Sequence, residues 1–142
     1  MIEDIYKSQI IQLPKILDPR GNLSFLENES HVPFDIKRIY WIYDVPGGEF
    51  RGGHAYHELR EVIVALSGSF EVLIDNGFEE KIYTLNRSYY GLYVPKGKWR
   101  MLQNFSTNSL ALILASELYN EKDYIRDYET FKAIAHGNSK RI

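Results

Sequence analysis

The residues of this chain that could carry out proton chemistry together are His54, Tyr40 and Arg100. A neutral histidine, with an ordinary pKa of about 6.5, is suited to remove a proton from a carbon next to a carbonyl group. An arginine beside it would stabilise the enolate, because its permanent positive charge stands where negative charge develops. A tyrosine hydroxyl could return the proton from another direction. If the three side chains converge, they predict an isomerase or epimerase that acts beside a ketone.

Two segments around these residues have the spacing of the double motif of metal-binding cupins, which are small β-barrel proteins. The segments are residues 48–68 and residues 95–104. Of the four ligand positions in that pattern, His54 and Glu61 keep residues that could bind a metal. The other two, where metal-binding cupins have histidine, are Tyr56 and Arg100. The spacing therefore resembles a cupin whose metal site is lost.

This set of side chains is too small for a first-row metal, which generally takes three or four His, Cys or carboxylate ligands. Arg100 adds a permanent cation at one ligand position. His57 could replace Tyr56 only if a bulge changed the alternation of the strand. We therefore expect no metal and no other cofactor. The alternative is a metal-dependent oxygenase or isomerase.

The segments that would position these residues read as short strands. Residues 37–43 alternate, with Arg38, Tyr40 and Ile42 on one face. Further apolar or alternating segments are residues 61–66, 69–74, 79–83, 89–94 and 109–115. The Asn76-Gly77 pair is a strong hairpin signal, because both residues can adopt positive φ. Many short strands without helices between them predict an all-β protein, a cupin-type jelly-roll barrel.

Strand alternation also bears on the candidate site. His54 and Tyr56 are two residues apart and should face the same way. Pairing with a neighbouring strand could bring Arg100 and Asn104 into the same lumen. The plainer interpretations are that a buried histidine is a hydrogen-bonded core residue and that Tyr40 only packs.

The C-terminal segment is predicted to be a helix over about residues 121–135, packed on the outside of the barrel. Asn120 would cap it and Asp123 would lie in its first turn. Its apolar positions, at helical spacing, are Tyr124, Ile125, Tyr128, Phe131 and Ile134. We expect residues 137–142 to fray. The length of 142 residues predicts one domain that spans residues 1–142.

Composition excludes several classes of function. The net charge is −2 and the 17 basic residues are dispersed, which argues against binding of nucleic acid or an acidic membrane surface. No apolar run approaches the roughly 18 residues that cross a bilayer. Without cysteine the chain has neither disulfides nor thiol catalysis. Because the N-terminal residues lack a signal region, we expect the protein in the cytoplasm.

Several motifs together carry a resemblance to one enzyme family. They are Asp18-Pro-Arg20-Gly-Asn-Leu, Pro33-Phe-Asp-Ile-Lys-Arg38-Ile-Tyr40, Val45-Pro-Gly, Arg51-Gly-Gly-His54-Ala, Gly68-Ser-Phe, Gly91-Leu-Tyr-Val-Pro95 and Asp123-Tyr-Ile-Arg-Asp-Tyr. From about residue 13 to about residue 131 the chain resembles the sugar-nucleotide 3,4-ketoisomerases, small cupins that act on dTDP-4-keto-6-deoxy-D-glucose. Relatives commonly have His-Ala-His where this chain has His54-Ala55-Tyr56-His57.

The resemblance implies removal of the proton at C3 of the 4-keto sugar, an enediol across C3 and C4, and reprotonation at C4. His54 matches the position of the family's base. Tyr40 is assigned to proton donation or shuttling on the C4 side, and Arg100 with Arg20 to the enediolate or the diphosphate. The configuration of the product at C4, gluco or galacto, stays open.

Further residues are predicted to bind the dTDP-linked sugar. Arg20 and Arg51 each stand beside glycine in a flexible turn, which suits phosphate binding, although both could be plain surface residues. Lys98 is a further candidate for the phosphates and Trp99 for stacking on thymine. Tyr56 and Asn104 complete the predicted binding set. The resemblance also implies a metal-free homodimer with exchanged strands.

Two other functions remain open from the sequence. A 3,5-epimerase of the same substrate would share the fold and also use a histidine base with a tyrosine acid. In a non-catalytic sugar-binding cupin, His54 and Arg100 would only hold the ligand.

Overall fold

The structure, a computed structural model, describes residue 2 and residues 4–139, and this part of the chain is built mainly of short strands. The strands are β1 (Gln9–Gln12), β2 (Lys15–Ile16), β3 (Leu23–Ser24), β4 (Arg38–Tyr43), β5 (Arg51–Tyr56), β6 (Glu61–Ser67), β7 (Phe70–Asp75), β8 (Glu80–Leu85), β9 (Tyr90–Val94), β10 (Trp99–Gln103), β11 (Leu110–Ala115) and β12 (Tyr124–Ile125). A 3-10 helix, Glu121–Asp123, precedes β12, and the helix α1 (Tyr128–Ser139) follows it.

Two five-stranded sheets form the body of the fold. Their strand orders are β1-β9-β6-β11-β4 and β12-β5-β10-β7-β8, and neighbouring strands are antiparallel throughout. A small hairpin of β2 and β3 lies outside them. The hydrogen bonds of one sheet do not continue into the other in the described residues, so the jelly roll is a pair of facing sheets rather than a closed barrel. The predicted all-β, cupin-type fold with a C-terminal helix is confirmed.

The main core lies between the two sheets. It joins Ile63 and Ile113 of the first sheet to Phe70, Val72 and Leu102 of the second. The other face of the first sheet is also covered, because Val32 and Phe34 of the N-terminal region pack on Val62, Val64 and Leu114. Strand β6 is therefore buried on both faces, which explains its unbroken apolar run.

The β7–β8 hairpin turns at the predicted Asn76-Gly77 pair. Of the two residues only Gly77 has a positive φ, at 94°. Asn76 instead uses its side-chain oxygen, which accepts the backbone N–H groups of Phe78 at 2.8 Å and Glu79 at 2.9 Å. Gly77 thus forms the turn through its backbone conformation, and Asn76 stabilises it through its side-chain hydrogen bonds.

The predicted helix start at about residue 121 is wrong, since the α-helix begins at Tyr128. Asn120 does act as a cap, but of the short 3-10 helix, where its side chain accepts the N–H of Lys122. Tyr124 and Ile125 pair with Tyr56 and Ala55 at the edge of β5. Backbone hydrogen bonds to that exposed edge replace the helical ones, so the helix is delayed until the chain has left the sheet.

Asp123, which was predicted to lie in the first turn of the helix, has a different role, and Asp127 caps the helix instead. The carboxylate of Asp123 accepts the backbone N–H groups of Glu58 at 2.8 Å and Leu59 at 3.0 Å, which ties the C-terminal segment to the loop after β5. Asp127 accepts the N–H and hydroxyl of Thr130 and so caps α1.

Helix α1 packs on the outer face of the second sheet, as predicted. Its Phe131 is buried against Ala55, with Trp99 and Tyr128 beside it. The helix continues to Ser139, fraying of the tail from residue 137 stays a prediction, and residues 140–142 lie outside the described residues. Neither α1 nor any other helix in the described part of the chain is long and apolar enough to span a membrane.

Candidate active site

A cavity of about 400 Å³ lies between β4, at the edge of the first sheet, and the strands β5, β10 and β12 of the second. It is lined by Arg38, Tyr40, Trp41, Ile42, Arg51, Gly52, His54, Tyr56, Arg100, Tyr119, Tyr124 and Arg126. All three predicted catalytic residues, His54, Tyr40 and Arg100, thus meet in one cavity. Of the predicted binding residues, Arg51 and Tyr56 join them.

The pairing of β5 with β10 sets the floor of this cavity. Arg100 lies opposite His54, whereas Leu102 lies opposite Arg51, so β5 contains one extra residue between these pairs. Gly52 supplies this bulge with a φ of 71°, and its carbonyl oxygen accepts Nη1 of Arg100 at 3.0 Å. The bulge turns the backbone toward the guanidinium.

His54 and Tyr56 face the cavity together, as strand alternation predicts. The Nε2 atom of His54 lies 2.9 Å from the hydroxyl oxygen of Tyr56, and the ring of Tyr124 packs against both. Burial lowers the pKa of His54 to about 3, and the positive charges of Arg100 and Arg126 act in the same direction. His54 is therefore neutral at pH 7, the form that a general base requires.

Arg100 and Glu61 form an ion pair in which each side chain is only 1% exposed. Nε of Arg100 donates to one carboxylate oxygen at 2.6 Å, and Nη2 donates to the other at 3.3 Å. Burial alone would lower the pKa of Arg100, but the facing carboxylate of Glu61 more than offsets it and raises the pKa overall. Arg100 is thus a permanent cation at the cavity floor.

Tyr40 completes this group. Its hydroxyl oxygen accepts Nη2 of Arg100 at 2.9 Å and its hydrogen is directed to Glu61 at 3.3 Å. Burial, together with the negative charge of Glu61, raises the pKa of Tyr40 to about 12. At neutral pH Tyr40 therefore holds a proton that it could donate.

Three more arginines surround the cavity mouth. Arg126 is paired with Glu121 at 2.7 Å and lies over the ring of Tyr124. Arg38 lies over the ring of Tyr40 and its buried Nε has no hydrogen-bond partner among the described residues. Arg51 forms no ion pair within that part of the chain. The mouth therefore carries an excess of positive charge that suits an anion such as a diphosphate.

Two of the predicted binding residues lie on the wrong side of the second sheet or away from the cavity. Trp99 precedes Arg100 on β10, so its side chain points to the opposite face, where it packs against Tyr128 and Phe131. It cannot stack on a base bound in the cavity. Lys98 borders a separate surface depression near Lys7 and Glu79.

The other two also lie outside the cavity of their own chain. Asn104 is exposed, follows the end of β10 and has a φ of 52°, so the prediction that it faces the lumen is wrong. Arg20 is exposed in the turn between β2 and β3 and is paired with Asp18 at 2.8 Å.

The structure adds residues to which the sequence assigned no role. Arg38 shares the inner face of β4 with Tyr40, and this alternation could have identified it. Tyr124 lies in β12 and Arg126 directly follows it, in a segment that was assigned to a helix, and both line the cavity because the chain is not helical there. Within residue 2 and residues 4–139, no three His, Cys, Asp or Glu side chains group as a metal site.

The two facing sheets and the cavity between them define a cupin-like protein. The same fold occurs in the dTDP-4-dehydrorhamnose 3,5-epimerase of Bacillus anthracis, with a TM-score of 0.75 over 87% of this chain and 80% of that chain. The sequence identity is only 16%, so this likeness shows the fold alone.

Sequence comparison shows the family. Residues 6–136 match the family described as "FdtA: WxcM-like, C-terminal", and the chain belongs to this family. It is 41% identical over 126 residues to the TDP-4-oxo-6-deoxy-alpha-D-glucose-3,4-oxoisomerase of Aneurinibacillus thermoaerophilus, covering 89% of this chain and 91% of the relative. The resemblance drawn from the sequence motifs is confirmed.

Solved structures agree with this assignment. The 3,4-ketoisomerase of Helicobacter canadensis is 42% identical, with a TM-score of 0.88 over 91% of this chain and 97% of that chain. A histidine-to-asparagine variant of the QdtA 3,4-ketoisomerase of Thermoanaerobacterium thermosaccharolyticum, in complex with TDP-4-keto-6-deoxyglucose, is 36% identical. Its TM-score is 0.90, over 93% of this chain and 96% of that chain.

Proposed function

We propose that this protein is a sugar-nucleotide 3,4-ketoisomerase that converts dTDP-4-keto-6-deoxy-D-glucose to a dTDP-3-keto-6-deoxy-D-hexose. The observation that carries the proposal is the convergence of neutral His54, protonated Tyr40 and cationic Arg100 on one cavity. The named activities of the relatives support the same conclusion.

In the proposed reaction His54 takes the proton from C3, next to the C4 ketone. The electrons of the C3–H bond form the C3=C4 double bond, and the C4 oxygen becomes the enediolate oxygen, which takes up the proton that the C3 hydroxyl gives up. Tyr40 then serves as the acid that delivers a proton to C4 while the C3 oxygen forms the ketone. The proton held by His54 returns to Tyr40 through solvent and restores both groups. One proton leaves carbon and one returns to carbon, so the change is an isomerisation without a redox cofactor.

The positive groups of the site would stabilise the charges of this substrate. Arg100 lies next to Tyr40 on the cavity floor, where it would stabilise the enediolate. Arg51 at the mouth is the proposed ligand of the diphosphate, and Arg38, whose Nε lacks a partner within the described residues, supports the same placement. Tyr56 would contact the sugar beside His54.

We further propose a homodimer with exchanged strands. Strand β4 is the open edge of the first sheet and exposes Ile39, Trp41 and Tyr43, whose side chains are 50%, 57% and 62% exposed. A second copy could cover this edge and its apolar face. Since Arg20 does not line the cavity of its own chain, its proposed role at the diphosphate requires such an exchange between subunits. Light scattering of the purified protein measures its oligomeric state. We expect a dimer for wild type and a monomer for Trp41→Glu.

The cytoplasm is the proposed compartment, which the lack of cysteine in the sequence fits.

The decisive test of the activity is incubation of the protein with the 4-keto sugar nucleotide in deuterated water, followed by NMR of the product. Because 3-keto sugars are labile, a 3-aminotransferase should trap the product. We expect deuterium at C4 and the carbonyl at C3. Label at C5 without movement of the carbonyl would instead identify an epimerase, and unchanged substrate would identify a sugar-binding protein.

A further inference from the structure

We propose that Glu61 is a positioning residue of this site, which orients Arg100 and keeps Tyr40 in its protonated form for the reprotonation step. The proposal rests on the proposed function, because it assigns Glu61 a part in a reaction whose acid is Tyr40.

Glu61 is held in place by the backbone on both sides. It is the first residue of β6, where it pairs with Val94 of β9 and Ala115 of β11. Its side chain is 1% exposed. Because β6 is the central strand of the first sheet, its backbone is held in position on both sides. The Glu61 carboxylate reaches from this strand across to the second sheet.

The carboxylate fixes the orientation of the guanidinium that it meets. An arginine has five N–H donors in a rigid plane. In Arg100 four of these are used: Nε and Nη2 donate to Glu61, Nη2 also donates to Tyr40, and Nη1 donates to Gly52. One donor on Nη1 remains for a substrate oxygen. Arg100 can therefore serve the reaction only in the orientation that Glu61 defines.

The same carboxylate acts on the proton of Tyr40. The hydroxyl oxygen of Tyr40 accepts a hydrogen bond from Arg100 at 2.9 Å, so its own hydrogen is free to donate to Glu61 at 3.3 Å. Two opposite charges thus meet at one hydroxyl group. Arg100 favours the tyrosinate and Glu61 favours the neutral phenol.

The other groups that face Tyr40 do not replace Glu61. Besides Arg100, the titratable groups that line the same cavity are Arg38 of its own strand, Arg51, His54 and Tyr56 of β5, Tyr119, Tyr124 of β12, and Arg126. Arg38, Arg51 and Arg126 are cations, and none of these groups is a carboxylate. Without Glu61, the described residues around Tyr40 leave it beside an uncompensated buried cation, and it should ionise more readily.

The test is a spectrophotometric titration of tyrosine in wild type, Glu61→Gln and the double variant Glu61→Gln with Tyr40→Phe. We expect no ionisation of Tyr40 in wild type below about pH 11. In Glu61→Gln one additional tyrosine should ionise about one pH unit or more lower. This signal should disappear in the double variant. Glu29→Gln, exposed in the loop between β3 and β4, is the matched control and should titrate as wild type.

Kinetics give a second readout that a purely structural role would not move. In Glu61→Gln the alkaline limb of kcat/KM should move to lower pH together with the tyrosine titration, and kcat should fall about 10–100-fold with little change in KM. Glu61→Asp keeps the charge one methylene further away and should restore most of kcat.

A Glu61→Gln titration that overlays the wild-type curve overturns the proposal. If Glu61→Gln does not fold, as judged by circular dichroism, Glu61→Asp provides the test, with a smaller shift in the same direction expected. An unchanged titration and alkaline limb in Glu61→Asp would then overturn it. Because the titration needs no turnover, failure of the proposed isomerase activity is recognised separately, from the wild-type NMR assay.

Discussion

The Nε2 atom of His54 lies 2.9 Å from the hydroxyl oxygen of Tyr56, two residues further along the same strand. Burial lowers the pKa of His54 and raises that of Tyr56, so both groups are neutral at pH 7. When Nε2 carries the hydrogen and donates it to Tyr56, Nδ1 retains the free lone pair that a base requires. Tyr56 thus orients the ring of His54 without becoming charged itself.

Removal of this contact should slow the reaction more than it weakens binding. In Tyr56→Phe the ring is retained against Tyr124, but the hydrogen bond to His54 is lost. Since one such bond is worth roughly 1 kcal/mol, we expect kcat to fall about fivefold. Because the ring that would contact the sugar is kept, KM should change little. Steady-state kinetics with the coupled aminotransferase measures this. An unchanged kcat would show that Tyr56 does not orient the base.

Replacement of His54, with the nearby His57 as control, tests whether His54 is the base. His54→Asn should lower kcat by about 10²–10⁴-fold, because proton abstraction loses its acceptor. Binding of TDP, measured by calorimetry, should be retained. His57→Asn is the matched control, since His57 is exposed and does not line the cavity. Equal losses in the two variants, or turnover preserved in His54→Asn, would exclude His54 as the base.

The pH dependence should reflect the lowered pKa of His54. A base works in its unprotonated form, so activity is lost as pH falls through its pKa. Since the pKa of His54 is lowered from 6.5 to about 3, kcat/KM should stay flat from pH 8 down to about pH 5. An acidic limb near pH 6.5 would contradict the burial of the base.

The lowered pKa of His54 also affects the free energy of unfolding. Between pH 6.5 and about 3 the unfolded chain protonates this histidine while the folded chain does not. The unfolded state then binds more protons, so the free energy of unfolding should decrease as pH falls through that window. Circular dichroism at each pH separates this loss of structure from loss of the base.

Local periodicity explains which parts of the site could be predicted from the sequence. His54 and Tyr56 share a face because side chains alternate along a strand, and the register with β10 then places Arg100 opposite His54. The same alternation turns Trp99 outward, so a set that included both Trp99 and Arg100 could not have been correct in full.

The remaining features depend on contacts between distant parts of the chain. The apolar pair at residues 124–125 fits a helix as well as a strand, and the open edge of β5 decides between them. Glu61 looked like a leftover metal ligand because its partner is 39 residues away, on the other sheet. Pair distances across two sheets have no periodic signal in a single sequence, so its pairing with Arg100 emerged only from the fold.

The bulge in β5 supplies the last prediction, because two adjacent glycines there should respond differently to alanine. At Gly52 the φ of 71° costs an L-residue about 1–2 kcal/mol. A Cβ at this position would also overlap Nη1 of Arg100. Arg100 cannot move away easily, since Glu61 and Tyr40 hold it.

Gly52→Ala should therefore lower the free energy of unfolding by about 2 kcal/mol or more and reduce kcat, because the strain is released by displacing the cation of the site. Gly53→Ala is the matched control: its Cβ would lie 3.6 Å from Trp99, an ordinary contact, and its φ is not positive. It should fold and react as wild type. Urea denaturation and steady-state kinetics measure both variants. Equal effects at the two positions would mean that the bulge does not position Arg100, since the two substitutions add the same methyl group and differ only in where the backbone directs it.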